Sequence, residues 1–402
     1  MSCEHKKVKL SEIADVIMGQ SPKSEYYNTE GNGLPFFQGC SEFGEMYPTV
    51  KKYCSKPNRI AQKGDVLMSV RAPIGTLNLA DRQCCIGRGL CAIRSKSANR
   101  FVYYLLKTNL DMIQTYGSGT IFRAINKAET NNFPFTVPSL PTQHKIAAIL
   151  SAYDDLIENN LRRIKILEKM AQALYREWFV KFRFPGHEKT RMVDSPMGKI
   201  PEGWEIVPFK TLVNCVRDST NAGDHLSDRL YVPIDCIPRH SLTLLEAKHW
   251  KEAKSSLMLF EEGDILFGAM RPYFHKVVVA PFKGVTRTTC FVLRPKTQLF
   301  LAYATMTAFQ DETIGSASAH SRGATIPYAV WDGSLAEMDV LLPSELVITR
   351  FNDILSPILR LFQAAYYKVF NLRRTRDLLL PKLISGELDV SDLDIDVAEE
   401  AA

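Results

Sequence analysis

The sequence predicts an α+β protein made of two homologous domains and two long helices. Three observations favour this fold. The 402 residues are 46% hydrophobic and 23% charged, which is typical of a soluble globular chain with room for two or three domains. The chain also repeats itself after about 200 residues. Finally, each repeat has a β-rich front and a helical rear. The length excludes a small disulfide-stapled module, and the composition argues against a largely unfolded chain.

The internal repeat is visible in several segments. KGDVLMSVRAPIG, Lys63–Gly75, matches EGDILFGAMRPYF, Glu262–Phe274, and VPSLPTQHKIAAILS matches LPSELVITRFNDILS. The last two segments end at Ser151 and Ser356, which are 205 positions apart. Because this period is far too long for a solenoid, we expect two similar domains related by a pseudo-twofold axis.

The front of each repeat is predicted to be a sheet with short helices. Runs of β-branched and apolar residues, separated by Gly, Pro and Asn clusters, indicate strands. An amphipathic helix then follows in each repeat, at Phe101–Tyr116 and at Phe300–Asp311. The predicted strands are Asp65–Val70, Cys91–Ser95, Lys276–Ala280 and Cys290–Arg294.

The rear of each repeat carries a heptad seam. Apolar residues recur by threes and fours, which is typical of a long helix that packs on another helix, and about 38 residues give a rod of roughly 55 Å. Pro357 falls early in the second helix, so we expect a kink there or a restart with Ser356 as the N-cap. The seam positions are Leu150, Tyr153, Ile157, Asn160, Ile164, Leu167, Ala171, Leu174 and Trp178, then Leu355, Ile358, Phe362, Ala365, Val369, Leu372, Arg376, Leu379 and Leu383.

The cellular compartment is predicted from membrane and export signals. No run of 18 apolar residues and no signal peptide is apparent, so we expect a cytoplasmic protein without membrane contact. The nine cysteines include no CxxC pair and are expected to be reduced. The net charge of +6 is a mild bias, and the tail after residue 388 is acidic.

Motifs for chemistry are missing from the sequence. There is no GxxxxGK[ST] phosphate loop, no HExxH and no Cys/His set with zinc spacing. A dinucleotide-type glycine turn and the Asn/Asp-Pro-Pro-aromatic tetrad of amino-methylating enzymes are also missing. We therefore predict no catalytic residue, no metal site and no bound cofactor in this chain.

Basic, amide-rich and aromatic loops are the candidate binding features. In GQSPKSEYY, Gln20, Ser21, Lys23 and Tyr26 suit phosphate and base-edge hydrogen bonds, although an ordinary polar turn would look the same. Arg71 and Arg271 each follow a β run beside a proline, and each is either a nucleic-acid contact or a salt-bridged strand end.

Two loops rich in small and hydroxyl residues end in arginine. GSGTIFR offers Ser118 and Thr120, and GSASAHSR offers Ser316, Ser318 and Arg322. Hydroxyls and backbone amides in such loops are able to hold phosphates, whereas the alternative is a flexible surface loop.

These segments resemble the specificity (S) subunits of type I restriction-modification enzymes. The resemblance covers nearly the whole chain and rests on KGDVLMSVRAPIG, EGDILFGAMRP, GSGT, PSLPTQHKIAAIL, IPEGWEIVPF and, most specifically, RDLLLPKLISGEL. It implies two α+β target-recognition domains joined by two long helices that pack as an antiparallel coiled coil. Residues 1–142 and 187–343 would be the domains, 143–186 and 344–388 the spacer helices, and 389–402 an acidic tail.

The resemblance also implies a function and partners. Each domain would read one half of a bipartite, asymmetric site in double-stranded DNA, and the helices would set the spacer and dock two methyltransferase (M) subunits. Restriction (R) subunits would join this core, with S-adenosylmethionine, ATP and Mg²⁺ bound in the partners. It adds Ser69, Phe122 and Tyr273 to the expected DNA contacts, and Lys276 completes the set.

The two domains are expected to read different sequences. VRDSTNAG replaces GQSPKS in the second half, and AMRPYF lacks the RxxxG ending. Two other functions stay open at this point. One is a coiled-coil scaffold that does not bind DNA, and the other is a single-chain DNA-modifying enzyme.

Overall fold

The chain forms two compact units. The computed structural model describes residues 5–116 and 124–395. The first unit comprises residues 1–158 and 372–402, and the second comprises residues 159–371. Both boundaries fall inside long helices, so each unit contains one sheet-rich domain and a length of each helix.

The first unit contains strands β1–β11 and helices α1–α4, and α5 begins in it. The helices are α1 (Leu10–Ile13), α2 (Asn99–Thr108), α3 (Leu110–Tyr116), α4 (Lys127–Asn131) and α5 (Leu140–Tyr175). The strands are β1 (Lys6–Lys9), β2 (Ala14–Met18), β3 (Tyr27–Asn28), β4 (Leu34–Phe37), β5 (Tyr53–Cys54), β6 (Ile60–Ala61), β7 (Val66–Ser69), β8 (Leu77–Leu79), β9 (Cys84–Ile86), β10 (Leu90–Ser95) and β11 (Pro134–Val137).

The second unit repeats this order. The helices are α6 (Leu301–Ala308), α7 (Asp311–Ala319) and α8 (Glu345–Ser385), and a π-helical turn, Arg176–Val180, follows α5. The strands are β12 (Met192–Ser195), β13 (Gly198–Pro201), β14 (Glu205–Pro208), β15 (Val213–Val216), β16 (Ser219–Thr220), β17 (Leu230–Tyr231), β18 (Lys248–His249), β19 (Leu257–Phe260), β20 (Ile265–Gly268), β21 (Val277–Val279), β22 (Gly284–Arg287), β23 (Cys290–Pro295) and β24 (Asp339–Leu342).

The sheets of the two units correspond, and the predicted α+β repeat is confirmed. The order β2-β10-β7-β8 in the first unit matches β15-β23-β20-β21 in the second, and the pair β1-β11 matches β14-β24. The five-stranded sheets, β3-β5-β4-β9-β6 and β16-β19-β22-β17-β18, share a parallel central pair but differ in their edge strands. Strand β3 lies at the edge beside β5, whereas its counterpart β16 lies at the opposite edge of the second sheet, beside β19. This part of the domain has therefore diverged between the repeats.

A duplicated ion pair supports each four-stranded sheet. Arg94 donates two hydrogen bonds of 2.8 Å to the carboxylate of Asp65, and Arg294 donates two of 2.7 Å to Asp264. Both aspartates are buried, and a buried carboxylate needs such charge-assisted bonds. The pair fixes the turn before β7 and β20, because each aspartate also accepts a backbone N–H, from Gln62 or Glu261.

The long helices pack against each other within each unit. In the first unit Leu150 of α5 shares an apolar cluster with Leu380 and Leu383 of α8. In the second unit Ala171 of α5 clusters with Leu359 of α8. Within the first unit Leu150 clusters with Leu383, and the later residue Asp154 pairs with the earlier residue Arg376, so the two helices run antiparallel there. All of the predicted seam positions are buried or half-buried, which confirms the heptad reading.

Of the two alternatives expected at Pro357, a kink or a restart of the helix, the restart is wrong. Helix α8 runs through Pro357, and the Ser356 hydroxyl donates to the Asn352 side chain in the preceding turn at 2.9 Å rather than capping a new helix. Leu355 and Leu359 on either side of the proline are buried. Burial of this face outweighs the one backbone hydrogen bond that proline removes.

The described residues bear on two expectations, the lack of a membrane span and the reduced state of the cysteines. Within residues 5–116 and 124–395, no helix combines the length and apolarity required to cross a membrane. The eight cysteines in that part of the chain are free thiols. Burial raises the pKa of Cys84 and Cys91 to about 12, so these thiols stay protonated at neutral pH.

Candidate nucleic-acid interface

The GQSP segment of the first unit is held against a glycine-rich turn. The Gly19 and Gln20 amides donate to the carbonyls of Leu90 and Ile86 at 2.9 and 3.0 Å. A Cβ on Gly19 would lie 2.2 Å from the Gly87 carbonyl oxygen, so only glycine allows this approach. The segment is therefore fixed in place before any ligand arrives.

Ser21 joins this turn to Gln38. Its hydroxyl lies 2.9 Å from Gln38 Nε2, which donates to it, and accepts the Arg88 backbone N–H at 3.2 Å. Gln38 itself is exposed, and a Cβ on Gly87 would lie 2.6 Å from its Oε1. An amide side chain held by such contacts at a surface is suited to hydrogen bonds with base edges.

A cleft of about 490 Å³ opens beside these groups. The stacked rings of Tyr27 and Phe36, whose centroids are 4.5 Å apart, lie along it. Lys51, Lys52 and Arg88 also line it and are exposed. Burial is the largest cause of the raised pKa of Tyr27, so its phenol stays neutral and donates to the Pro22 carbonyl at 2.8 Å. The cleft thus combines polar groups, aromatic rings and a cationic rim.

The predicted residues of the GQSPKSEYY segment lie in or beside this cleft. Ser21 lines it, and Gln20 and Lys23 are exposed next to it. Lys23 has only a loose ion pair with Glu25, at 3.9 Å, so its ammonium remains available. Tyr26 is half-buried, with the Lys56 ammonium 4.9 Å from its ring centroid.

The β7–β8 hairpin brings Arg71 to the same turn. The Val70 amide donates to the Gly89 carbonyl at 2.9 Å, and Arg71 follows it with an exposed side chain. Ser69, in contrast, is not placed to contact DNA as predicted, because its side chain is buried and its hydroxyl forms hydrogen bonds within the hairpin. It donates to the Pro73 carbonyl at 2.5 Å and accepts the Thr76 N–H at 2.9 Å, so it supports the turn rather than facing a ligand.

Three predicted contacts lie outside the described residues. They are Ser118, Thr120 and Phe122 of the GSGTIFR segment.

In the second unit, Arg271 and Arg322 are brought together. Arg322 and Tyr328 exchange backbone hydrogen bonds of 2.8 Å, and the Arg271 amide donates to the Pro327 carbonyl at 2.7 Å. Arg271 has a left-handed backbone with φ of 51°, and its Nε is buried with no hydrogen-bond partner among the described residues. Tyr273 follows in the same hairpin and is 53% exposed. A cationic, aromatic surface therefore forms at the β20–β21 turn.

Lys276 is not part of that exposed surface. Its ammonium donates to the Ile234 carbonyl at 2.7 Å, and burial lowers its pKa. This hydrogen bond links the β20–β21 hairpin to the segment that contains Ile234.

The GSASAHSR segment is mostly helical rather than a loop. Residues 315–319 belong to α7, and the Ser318 hydroxyl donates to the Ile314 carbonyl one turn earlier at 2.7 Å. Ser316 is half-buried on the same helix. Burial of Thr313, Ile314 and Ala317 on one face outweighs the low helix propensity of glycine and serine.

Sequence reasoning missed several residues of these surfaces. Gln38, Lys51, Lys52 and Arg88 in the first unit were not predicted, nor was Arg239, whose guanidinium lies 3.7 Å from the Phe274 ring centroid. The Gly-Arg-Gly sequence at residues 87–89 was the available signal, because glycines on both sides expose an arginine on a tight turn. Among the described residues, no group of three or more His, Cys, Asp or Glu side chains is placed to hold a metal ion.

Comparisons with known proteins all find type I restriction-modification specificity subunits or their domains. The family described as type I restriction modification DNA specificity domain matches residues 4–169. The MjaX type I restriction enzyme specificity subunit of Methanocaldococcus jannaschii is 41% identical over 191 residues, which is 42% of this chain and 45% of that protein. This first match therefore spans less than half of the relative's length.

Two further comparisons extend over almost the whole chain. The MjaIX type I restriction enzyme specificity subunit of the same organism is 26% identical over 96% of this chain and 94% of its own length. The crystal structure of a type I restriction-modification S subunit from M. genitalium shares the fold over 95% of this chain and 96% of that chain, with a TM-score of 0.61 and 16% identity.

Proposed function

We propose that this chain is a member of the specificity-subunit family of type I restriction-modification systems and the DNA-reading subunit of such a complex. The family match over residues 4–169 and the similarity to the MjaIX specificity subunit over 96% of the chain support this proposal. Each unit reads one half of a bipartite, asymmetric site in double-stranded DNA. The observation that carries the proposal is the cleft of the first unit, where fixed amide and hydroxyl groups lie within a rim formed by Lys51, Lys52 and Arg88.

The groups at the cleft divide into two roles. The three cationic side chains suit phosphates, which position a protein on the duplex without reading sequence. Gln38 and the neighbouring exposed Gln20 present amide donors and acceptors, which suit base edges in the major groove. A guanidinium such as that of Arg88 or Arg71 also suits the O6 and N7 acceptors of guanine.

The second unit reads a different half-site. It presents Arg271, Tyr273 and Arg322 at the corresponding hairpin, and its first loop ends in a strand at the opposite edge of the sheet. Different side chains on differently placed loops favour different base sequences. The complete site is therefore asymmetric.

The two helices set the unread spacer and dock two methyltransferase subunits, and restriction subunits complete the assembly. Exposed apolar side chains on these helices, among them Ile166 and Met170 on α5 and Leu361 on α8, suit a protein partner. Methylation and cleavage belong to those partners, as do S-adenosylmethionine, ATP and Mg²⁺. This chain is non-catalytic.

Adenine mapping is the test of this proposal. The chain is co-expressed with its methyltransferase subunit in a host without DNA methylation, and modified adenines are located by single-molecule sequencing. A bipartite motif is expected. Replacing residues 1–142 by another recognition domain should change one half of the motif, and removing one heptad from each helix should change only the spacer.

A measurement of DNA affinity separates the reader from a scaffold. A reader that neutralises several phosphates loses affinity steeply as salt rises. An assembled complex that modifies no adenine, with no salt-dependent DNA affinity, would overturn the proposal in favour of a coiled-coil scaffold.

A further inference from the structure

Glu168 on helix α5 makes an unusual set of contacts in the second unit. Its side chain is 5% exposed, and Oε1 accepts hydrogen bonds from the Ser241 hydroxyl at 2.7 Å and the Leu242 amide at 2.8 Å. The same oxygen accepts from the Thr243 hydroxyl and amide at 2.9 and 3.0 Å. A buried carboxylate is costly without such partners, so this contact fixes residues 241–243 against the helix.

The segment that Glu168 holds leads directly to the candidate DNA-reading hairpin. The His240 amide donates to the His275 carbonyl at 2.8 Å, and the Arg239 guanidinium lies 3.7 Å from the Phe274 ring centroid. The Val279 amide donates to the Leu242 carbonyl at 3.2 Å. Residues 239–243 therefore rest on the β20–β21 hairpin that presents Arg271 and Tyr273.

The equivalent helix position in the other repeat makes the equivalent contact with opposite charge. Arg373 on α8 lies 205 positions after Glu168, the offset of the helical repeat. In the first unit its Nη2 donates to Glu45 Oε2 at 2.7 Å. Glu45 precedes Met46, whose carbonyl accepts a hydrogen bond from the Leu79 amide at 2.8 Å. In the second unit the Leu242 carbonyl accepts from the Val279 amide in the same way.

The segment that Arg373 holds also supports the first candidate surface. Its Gly44 amide donates to Asn78 Oδ1 at 3.1 Å, which joins it to β8 of the Arg71 hairpin. Glu42, at the start of this segment, lines the cleft. In both units the helix position therefore contacts the segment behind the reading surface.

We propose that positions 168 and 373 are paired positioning sites, one on each long helix, that hold each domain's reading surface in place. This inference rests on the proposed DNA-reading function. The opposite charges also make the two sites different from each other. An arginine at position 168 would face two amides and two hydroxyls, whereas a glutamate at position 373 would face Glu45, so neither segment accepts the side chain of the other site.

Variants at Glu168 test the role in the second unit. In the co-expressed complex, Glu168→Leu is expected to reduce discrimination against single mismatches in one half of the motif by about tenfold, since a charge-assisted hydrogen-bond set is lost. The other half should be unchanged. Glu168→Gln keeps an acceptor oxygen and should retain most discrimination, and Lys169→Ala, on the exposed face, should match the parent chain.

A charge exchange tests the role in the first unit. Glu45→Arg and Arg373→Glu should each reduce discrimination in the half-motif that follows residues 1–142, and the double variant should restore it. Arg376 Nη1 lies 3.6 Å from Glu45 Oε1 and also pairs with Asp154, so an arginine at position 45 would face Arg376 as well and the restoration is expected to be partial. If these residues serve only general stability, the single variants should lower the overall level of modification without a selective loss of discrimination in one half-motif.

The two proposals fail in different ways. If the parent complex yields no bipartite motif, the DNA-reading function fails and the positioning role falls with it. If the parent reads a motif but Glu168→Leu changes both halves equally or neither half, the positioning role alone is wrong. A double variant no better than its single variants would also refute it.

Discussion

Replacing Asp154 by leucine is expected to destabilise the first unit by about 3 kcal/mol, the lower end of the range for breaking a buried ion pair. Asp154 is 4% exposed. Its Oδ2 accepts the Tyr104 hydroxyl at 2.6 Å, and its Oδ1 accepts from Arg376 Nη1 at 2.5 Å. Leucine would leave a buried guanidinium and a buried phenol without this carboxylate. The lower end of that range applies because Arg376 keeps its contact with Asp377, whose Oδ1 is 2.9 Å from the Arg376 Nε.

In the second repeat, apolar residues occupy the positions equivalent to the Asp154–Arg376 ion pair. The positions equivalent to Asp154 and Arg376, at the 205-residue offset, are Leu359 and Ala171, and both are buried. The double variant Asp154→Leu/Arg376→Met removes both charges and keeps most of the volume. It should lose clearly less stability than Asp154→Leu alone, because replacing both partners of a buried pair by apolar groups is often neutral.

The tryptophans make the assay selective. All four, at positions 178, 204, 250 and 331, belong to the second unit, so their fluorescence during urea unfolding reports that unit. Hydrogen exchange of β10, Leu90–Ser95, reports the first unit. A loss of 3 kcal/mol corresponds to exchange on the order of 100-fold faster in β10. Unchanged exchange in β10, or a double variant less stable than Asp154→Leu, would refute the reasoning.

Three further outcomes follow from the described contacts. Gly19→Ala should lower the free energy of unfolding by about 1–3 kcal/mol and weaken reading of the first half-site, since the alanine Cβ would lie 2.2 Å from the Gly87 carbonyl oxygen. Thermal unfolding and adenine mapping measure these two effects. Lys51→Ala and Lys52→Ala should each reduce the slope of log affinity against log salt by about 1, measured by DNA titration, with no change in the motif. Burial and then the neighbouring His240 lower the pKa of His275, which also faces Asp311 at 3.3 Å, so the unfolded state binds a proton more readily. Stability of the second unit should therefore fall as the pH drops below about 6.5, and His275→Gln should remove this dependence in tryptophan-monitored unfolding, whereas an unchanged profile would contradict it.

Much of the scaffold could be predicted from the sequence. The repeat, the α+β fronts and the helical seams follow from periodicity and self-similarity, because burial of one helix face is encoded at every third or fourth position. Arg376 shows the limit of that pattern. It sits on a predicted seam, yet only the structure reveals that Asp154 and Tyr104 neutralise it inside the core.

The candidate site was harder to predict because its residues come from distant segments. Gln38, Lys51 and Arg88 meet the GQSP segment only after β4, β5 and β9 form one sheet, and no local pattern marks them. Ser69 and Lys276 had suitable chemistry, but their polar atoms are used by the Pro73 and Ile234 carbonyls. Residue type predicts what a side chain is able to bind, whereas burial and existing partners decide whether it is available.

The composition of the first unit has a consequence for synthesis. Its core contains Leu150 from the first half of the chain and Leu383, Ile384 and Val390 from much later. At about 5 to 20 residues per second, a ribosome needs roughly 10 to 50 s to travel from one to the other. The domain translated first is thus completed last, after the entire second unit has emerged. A nascent chain in this interval exposes the apolar face that those late residues cover, so chaperone binding during translation should concentrate on the first domain.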